Sequence, residues 1–101
     1  MRIHEVLKVL SNQTRLQILS LLLDGELCVC QIYATIGTSQ PNISQHLNML
    51  RQFRLVDVRK EGAFVYYSLS KQPLQEYPFL ESILQTAKRQ YSKPLKACKV
   101  N

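Results

Sequence analysis

The chain has 101 residues, enough for one domain, and 46% of them are hydrophobic, so it can form a core. Thirteen Lys and Arg against seven Asp and Glu give a formal net charge of +6, which favours a polyanionic partner such as nucleic acid. The sequence contains no run of about 18 apolar residues, and the acid Glu5 stands where a signal peptide would be apolar, so we expect a cytoplasmic protein with reduced cysteines and no membrane partner.

The first half of the chain carries four segments in which apolar residues recur with the helical period. They predict helices over residues 3–10, 13–23, 29–36 and 40–53. Ser11-Asn12 supplies capping side chains for the second helix, and Ser39 is a good N-cap for the fourth. Gly37 ends the third helix, and Pro41 is tolerated in the first turn of the fourth.

The predicted fourth helix is apolar on one face and uncharged but polar on the other. The apolar face consists of Ile43, Leu47, Leu50 and Phe53. The opposite face carries Asn42, Ser44, Gln45 and Asn48. A solvated helix surface more often carries Glu and Lys, so this amide-rich face indicates a surface that makes specific hydrogen bonds.

The second half of the chain predicts two strands, over residues 56–58 and 64–69, around a turn that contains Gly62. A last helix is predicted to begin near Pro78, with an apolar stripe from Leu80 to Tyr91, and to end before Pro94. The fold class is therefore mainly α (α+β): a winged helix-turn-helix of about five helices plus a two-stranded β-hairpin wing. Residues 1–91 form the DNA-binding and dimerisation domain, and residues 92–101 a basic flexible tail that carries Cys98.

In this fold the fourth helix enters the major groove of double-stranded DNA. Side chains that can bond base edges sit near its start; the base-reading candidates are Gln40, Asn42, Ser44 and Gln45. Side chains at the helix ends and in the wing are better placed for phosphates; the candidates are Ser39, His46, Arg51, Arg54, Arg59 and Lys60.

Several stretches together resemble the ArsR family of metal-responsive repressors. They are Ser11–Leu16, Glu26–Cys30, Ser39–Leu47 and Gly62–Tyr67. The resemblance implies a homodimer, built mainly from the first and last helices, that binds an inverted-repeat operator. The Glu-Leu-Cys-Val-Cys stretch is similar to the arsenic- and cadmium/lead-sensing branches of the family.

Cys28 and Cys30 begin the third helix, where the helix dipole favours thiolates. Soft sulfur ligands select As(III), Sb(III), Cd(II), Pb(II) or Zn(II), and we expect As(III) or Sb(III) as the inducer. Residues at i and i+2 of a helix point about 200° apart, so both sulfurs reach one ion only if the first turn is distorted or Cys28 lies outside the helix. Tyr33 occupies the place of the third cysteine in similar arsenic sensors, which leaves Cys98, from either subunit, as a metal ligand or as an incidental thiol.

Three other interpretations stay open on the sequence alone. The same fold can carry a thiol-redox or reactive-sulfur-responsive repressor, with a disulfide or polysulfide link between Cys30 and Cys98 or between subunits. It can also carry a Cd-, Pb- or Zn-responsive repressor, or a DNA-binding module with inert cysteines that answers to a protein partner. An enzyme is not expected, and neither is a catalytic cofactor, because the cysteine spacing is not Cys-x-x-Cys and no catalytic motif is visible.

Overall fold

A computed structural model describes residues 1–91 and 93–96 of the chain. It contains six α-helices, one 3-10 turn and three strands in this part. In chain order the elements are α1 (Ile3–Leu10), α2 (Gln13–Leu21), the 3-10 turn (Leu22–Asp24), β1 (Leu27–Cys28), α3 (Val29–Ile36), α4 (Gln40–Gln52), β2 (Val56–Glu61), β3 (Phe64–Leu69), α5 (Lys71–Glu76) and α6 (Phe79–Tyr91).

The helix boundaries follow from local capping chemistry. The Asn12 side chain accepts a 3.0 Å hydrogen bond from the backbone N–H of Arg15 and so begins α2. Ser39 begins α4 in the same way, accepting from the N–H of Asn42 at 3.3 Å. Gly37 ends α3 in the left-handed region with φ +80°, a conformation that side chains with a Cβ disfavour. These caps confirm the predicted junction between the third and fourth helices.

The core lies where α2, α3, α4 and α6 meet. Its largest fully buried side chains are Ile18, Leu19, Ile32, Ile43, Leu47, Leu50, Leu55, Leu84 and Val6. Burying each of them stabilises the fold by about 1.5–3 kcal/mol. Three of these residues, Ile43, Leu47 and Leu50, lie on α4, so its apolar face holds the helix against the domain and leaves its polar face outward.

The sheet has the order β1-β3-β2, with both pairings antiparallel. β2 and β3 form a longer hairpin than the sequence predicted: Glu61 pairs with Phe64, so the loop is only two residues long. Gly62 occupies this loop with φ +59°, as such tight hairpin turns require. The remaining strand of the sheet, β1, pairs with β3 through Leu27 and Tyr67 and through Cys28 and Tyr66.

The winged helix-turn-helix class is confirmed, and besides the longer hairpin the details differ from the prediction in three places. The second helix ends at Leu21, where the chain tightens into the 3-10 turn that stops at Gly25. A short helix, α5, follows the wing, which makes six helices instead of five. The sheet has three strands instead of two, because β1 is added to the edge of the hairpin.

The apolar stripe of α1 is divided between two environments. Val6, Val9 and Leu10 are buried in the core. Ile3 and Leu7 point away from it and are 47% and 49% exposed. The first helix therefore keeps an uncovered apolar edge.

Candidate nucleic-acid interface and thiol site

The exposed face of α4 is the surface that the helix-turn-helix presents. Gln40, Ser44 and Gln45, three of the four predicted base-reading residues, are exposed on it. Asn48 is also exposed and stands one turn after Ser44. The sequence analysis placed Asn48 on the polar face but not among the base-reading residues; its spacing of four from Ser44 was the available signal.

Asn42, the fourth predicted base-reading residue, is half-buried and already engaged. Its Nδ2 donates a 3.0 Å hydrogen bond to Oγ1 of Thr38, in the turn that precedes the helix. Its backbone N–H donates to Ser39. Asn42 therefore links the turn to the start of α4, and its amide oxygen and second N–H are left for a base edge.

His46 lies on the side of α4 that faces α2. Partial burial lowers the pKa of its imidazole, and the nearby Arg15 guanidinium lowers that pKa further. The imidazole is therefore mainly neutral at neutral pH, so a DNA phosphate would meet it as an N–H donor and not as a cation.

Basic side chains collect where α4 ends and β2 begins. Arg51 and Arg54 are exposed and line a polar hollow that also contains Asp57, Ser70 and Lys71. The hydroxyl of Ser70 donates a 2.9 Å hydrogen bond to one carboxylate oxygen of Asp57. Lys71 was missed by the sequence analysis because α5, which it begins, has no periodic signal of its own.

The predicted phosphate contact Arg59 is held by two carboxylates. Its Nε and Nη2 bond both oxygens of Glu26 at 3.1 and 2.6 Å, and its Nη1 bonds Glu61 at 2.6 Å. The guanidinium also lies 4.6 Å from the ring centre of Tyr66. These bonds raise the pKa of Arg59 and lower that of Glu26. Lys60, the neighbouring phosphate candidate, is exposed.

The two cysteines of the Cys-Val-Cys stretch converge at the start of α3. Cys28 is the residue before the helix, in an extended conformation with φ −66° and ψ 144°. Its Sγ lies 3.0 Å from Sγ of Cys30. The sequence analysis allowed convergence by a distorted first turn or by Cys28 lying outside the helix, and the structure has the second arrangement.

The two cysteines differ in how far they are buried. Cys28 is buried, and Cys30 is half-buried. The backbone N–H of Cys28 donates to Oε1 of Gln31 at 3.0 Å, which fixes the entry to α3. Within residues 1–91 and 93–96 no group of three His, Cys, Asp or Glu side chains could hold a metal ion. The predicted third ligand, Cys98, lies outside the described residues.

The chain segment before Cys98 is fastened to α3. The backbone N–H of Lys96 donates to Oγ1 of Thr35 at 3.0 Å. Lys93 Nζ donates to the carbonyl oxygen of Ile36 at 2.8 Å, at the end of the same helix. Both contacts lie within two turns of Cys30.

Comparison with known proteins gives this geometry a context. The family model described as "Bacterial regulatory protein, arsR family" matches residues 12–58. The arsenical resistance operon repressor of Escherichia coli K12 is 46% identical over 67 residues, which is 65% of this chain and 57% of that protein. The cadmium resistance regulatory protein CadC homolog of Staphylococcus aureus is 40% identical over 77 residues, 75% of this chain and 64% of that protein. The chain thus spans about 60% of these two relatives.

A third relative is matched over more of its length. The arsenic resistance transcriptional regulator ArsR2 of Pseudomonas putida is 39% identical over 83 residues, 80% of this chain and 72% of that protein. Among solved structures, reduced HlyU from Vibrio cholerae has a TM-score of 0.70 and 38% identity, covering 86% of this chain and 85% of that one. The homodimeric winged helix-turn-helix domain of Mb0332 from Mycobacterium bovis has a TM-score of 0.69 and 31% identity, covering 89% and 81%.

The comparisons also bear on catalysis. The matching family consists of regulatory proteins and not of enzymes, as the sequence analysis expected. None of the helices in the described part of the chain has the length and apolar character that a membrane crossing requires.

Proposed function

Because the chain belongs to the arsR family of bacterial regulatory proteins, we propose that it is a cytoplasmic transcriptional repressor of an inverted-repeat operator. Arsenite or antimonite releases it from that operator by binding its cysteine thiolates. The observation that carries this proposal is the 3.0 Å separation of the Cys28 and Cys30 sulfurs at the start of the helix that precedes the recognition helix. The arsenical resistance repressor of E. coli supports the choice of inducer.

The sulfur separation suits a single thiophilic ion. Two metal–sulfur bonds of about 2.3 Å at an angle of about 100° hold their sulfurs about 3.5 Å apart. The two sulfurs need to move apart by only about 0.5 Å to reach that distance. Each thiol that binds arsenous acid forms one As–S bond and gives its proton to a departing hydroxide, which leaves as water. Arsenic stays As(III) throughout, so no oxidant or reductant is needed.

The third sulfur is proposed to be Cys98 of the same subunit. Lys96, two residues before it, is bonded to Thr35 on α3. Two extended residues span about 7 Å, and the five residues from Cys30 to Thr35 rise about 7.5 Å along the helix. These two lengths support the proposal that the third sulfur comes from the same subunit.

A route from the ion to DNA runs through the sheet. Cys28 is the last residue of β1 and pairs with Tyr66 of β3, which belongs to the wing. Glu26, two residues earlier, holds Arg59 on the other wing strand. A shift of Cys28 toward an ion therefore pulls on both wing strands. In the other direction along the chain, α3 leads through Gly37 into α4, so the recognition helix is linked to the same site.

DNA contact is assigned to the outward face of α4 and the basic side chains around it. Gln40, Ser44, Gln45 and the oxygen of Asn42 are proposed to read bases, with Asn48 added from the geometry. Phosphate contacts are assigned to Ser39, His46, Arg51, Arg54, Arg59 and Lys60. Three of the five N–H groups of Arg59 bond Glu26 and Glu61, and these carboxylates neutralise its charge, so phosphate contact by Arg59 is strongest when it leaves them.

The repressor is proposed to be a homodimer through α1 and α6. The exposed Ile3 and Leu7 leave an apolar edge on α1 that a second copy would cover. On α6, the half-buried Ile83 and Tyr91 line an open hollow on the outer face of the domain. The homodimeric domain from M. bovis supports this arrangement.

A second candidate is a repressor of the same fold that responds to an oxidant, to reactive sulfur or to Cd(II), Pb(II) or Zn(II). Two sulfurs 3.0 Å apart are also well placed for oxidation or for a softer divalent ion. The similarity to HlyU, whose structure is described as reduced, and to the CadC homolog favours keeping this candidate.

The discriminating experiment measures operator affinity by fluorescence anisotropy at fixed salt, using fully reduced protein and an inverted repeat from its own promoter. Arsenite, antimonite, cadmium, lead, zinc, a persulfide and no addition are compared. The proposal expects arsenite or antimonite to weaken binding by at least about tenfold, about 1.4 kcal/mol. The double variant Cys28→Ser, Cys30→Ser should keep the affinity but lose the response.

Release by the persulfide but not by arsenite would replace the proposal with the redox candidate. Release by a divalent ion alone would replace it with the cadmium-type candidate. If no addition changes the affinity of the wild-type protein, the cysteines are inert and the protein-partner interpretation takes over.

A further inference from the structure

A cavity of about 350 Å³ lies between α2, the end of α3 and the end of α6. Its volume is in the range of small-molecule sites in proteins. Leu21, Leu27, Ile36 and Leu95 supply apolar wall. Cys28 and Cys30 are not among the residues that line it, so the cavity is separate from the thiol site.

Buried polar side chains concentrate on this cavity. The described part of the chain has four buried polar residues, and three of them, Gln17, Ser20 and Thr35, line it. The hydroxyl of Ser20 donates to the Gln17 carbonyl oxygen, and that of Thr35 accepts from Lys96. Such a set of hydrogen-bonding groups in an otherwise apolar hollow is typical of a ligand site and costly in an empty one.

Gln17 contributes the one amide side chain among the described residues that line the cavity. The residue is only 9% exposed, yet within residues 1–91 and 93–96 its side-chain amide has no hydrogen-bond partner. Its amide N and O atoms are accessible to solvent, because within the described residues every fully enclosed side-chain N or O atom has a partner. An amide that lines a cavity in this way can exchange hydrogen bonds to water for hydrogen bonds to a ligand oxygen or N–H.

Charge narrows the class of ligand. Lys88, Lys93 and Asp24 line the cavity, and Lys88 is paired with Asp24 at its mouth. Lys93 spends one of its three N–H bonds on the Ile36 carbonyl. Lys93 therefore brings a positive charge that no described acid neutralises. We infer that the cavity is a binding site for a small organic acid, with its carboxylate toward Lys93 and Gln17 and its apolar body against the leucines.

The inference is tested by titrating uniformly ¹⁵N-labelled full-length protein, reduced and free of DNA and metal ions, with sodium phenylacetate and with sodium hexanoate. Phenylacetamide is the neutral matched probe. The expected result is a saturable shift of the backbone amide signals of Gln17, Ser20 and Thr35 with at least one acid, and weaker binding of phenylacetamide.

Two variants and a control locate the ligand. Gln17→Leu nearly keeps the size of the side chain and should lower the affinity for the acid by about fivefold. Lys93→Gln should weaken it by about threefold, and because Lys93 is exposed this variant tests the site even if Gln17→Leu fails to fold. Lys96→Gln removes the same charge from a side chain that does not line the cavity and should leave the affinity unchanged.

Equal binding of phenylacetamide and phenylacetate would overturn the assignment to an acid. The absence of saturable shifts with either acid at several millimolar, or equal weakening by Lys93→Gln and Lys96→Gln, would overturn the site itself. Neither outcome touches the proposed repressor function, because DNA and thiophilic ions are left out of the titration.

Discussion

Cys28 lies directly opposite Tyr66 in the antiparallel ladder between β1 and β3. Cys28 is therefore part of the same sheet as the wing, although 38 positions separate the two residues in the chain. In the proposed function, these two paired strands connect the thiol pair to the wing.

Glu26→Gln is expected to strengthen DNA binding that does not depend on sequence. It removes the negative charge that holds Arg59 through two nitrogens and leaves only Glu61 as an acidic partner, so the guanidinium is more available to phosphates. The slope of log affinity against log salt concentration should steepen by about 1, the value for one added phosphate contact. Glu76→Gln removes the same charge from a carboxylate that does not contact Arg59; equal slopes for the two variants would contradict the prediction.

Gln45→Ala is expected to lower affinity for the operator by about 1–3 kcal/mol and to leave affinity for unrelated DNA nearly unchanged. The side chain is exposed on the outward face of α4 and is free to bond a base edge. Competition titrations with operator and scrambled DNA measure both quantities. Gln52→Ala, an exposed glutamine at the other end of the helix, is the matched control. A uniform loss on both DNAs would show that Gln45 contacts the backbone instead.

Acid is expected to destabilise the fold through His46. Burial and Arg15 lower the pKa of this imidazole below its ordinary 6.5, so the folded state favours the neutral form. Its contribution to stability is fully present above pH 6.5 and is lost as the pH falls through the lowered pKa. Urea midpoints should therefore fall between about pH 7.5 and about pH 5.5, and less so in His46→Gln. His4→Gln, at the exposed start of α1, should retain the full dependence.

Leu7→Lys is expected to weaken the homodimer without unfolding the subunit. Leu7 is 49% exposed in the single chain, so the charge costs little there, but it would be buried at an interface through α1. Sedimentation equilibrium should show a dimer dissociation constant raised by at least about tenfold. Gln13→Lys, on the exposed start of α2, adds the same charge as a control. An unchanged dimer would place the interface elsewhere.

Local signals explain which parts of the fold could be predicted from the sequence. The third helix was predicted over 29–36 and is observed as Val29–Ile36. The prediction succeeds because its signals, the apolar period and the terminating Gly37, lie within the helix or next to it. The fourth helix was predicted equally well from Ser39 and its apolar period. The pair formed by Cys28 and Cys30 was also visible, since its position at a helix start depends only on neighbouring residues.

Features that depend on distant partners were not predictable in this way. Strand β1 has two residues and exists because β3, nearly 40 positions later, offers it an edge. The pairing of Arg59 with Glu26 crosses 33 positions. The hydrogen bond from Asn42 to Thr38 joins residues only four positions apart. It depends on the backbone conformation of the turn between α3 and α4, which the composition of the turn does not specify. The cavity beside Gln17 forms only when three helices are brought together with Lys93 and Leu95, so no local signal predicts it.

The central claim is that ion binding at Cys28 and Cys30 and operator binding by α4 oppose each other. Linkage requires the two effects to be equal, so the direct test is the arsenite affinity of the reduced protein, measured free and saturated with operator at the same salt. The account predicts that operator weakens arsenite binding by at least about tenfold, matching the loss of operator affinity caused by arsenite. The same arsenite affinity with and without operator would contradict it.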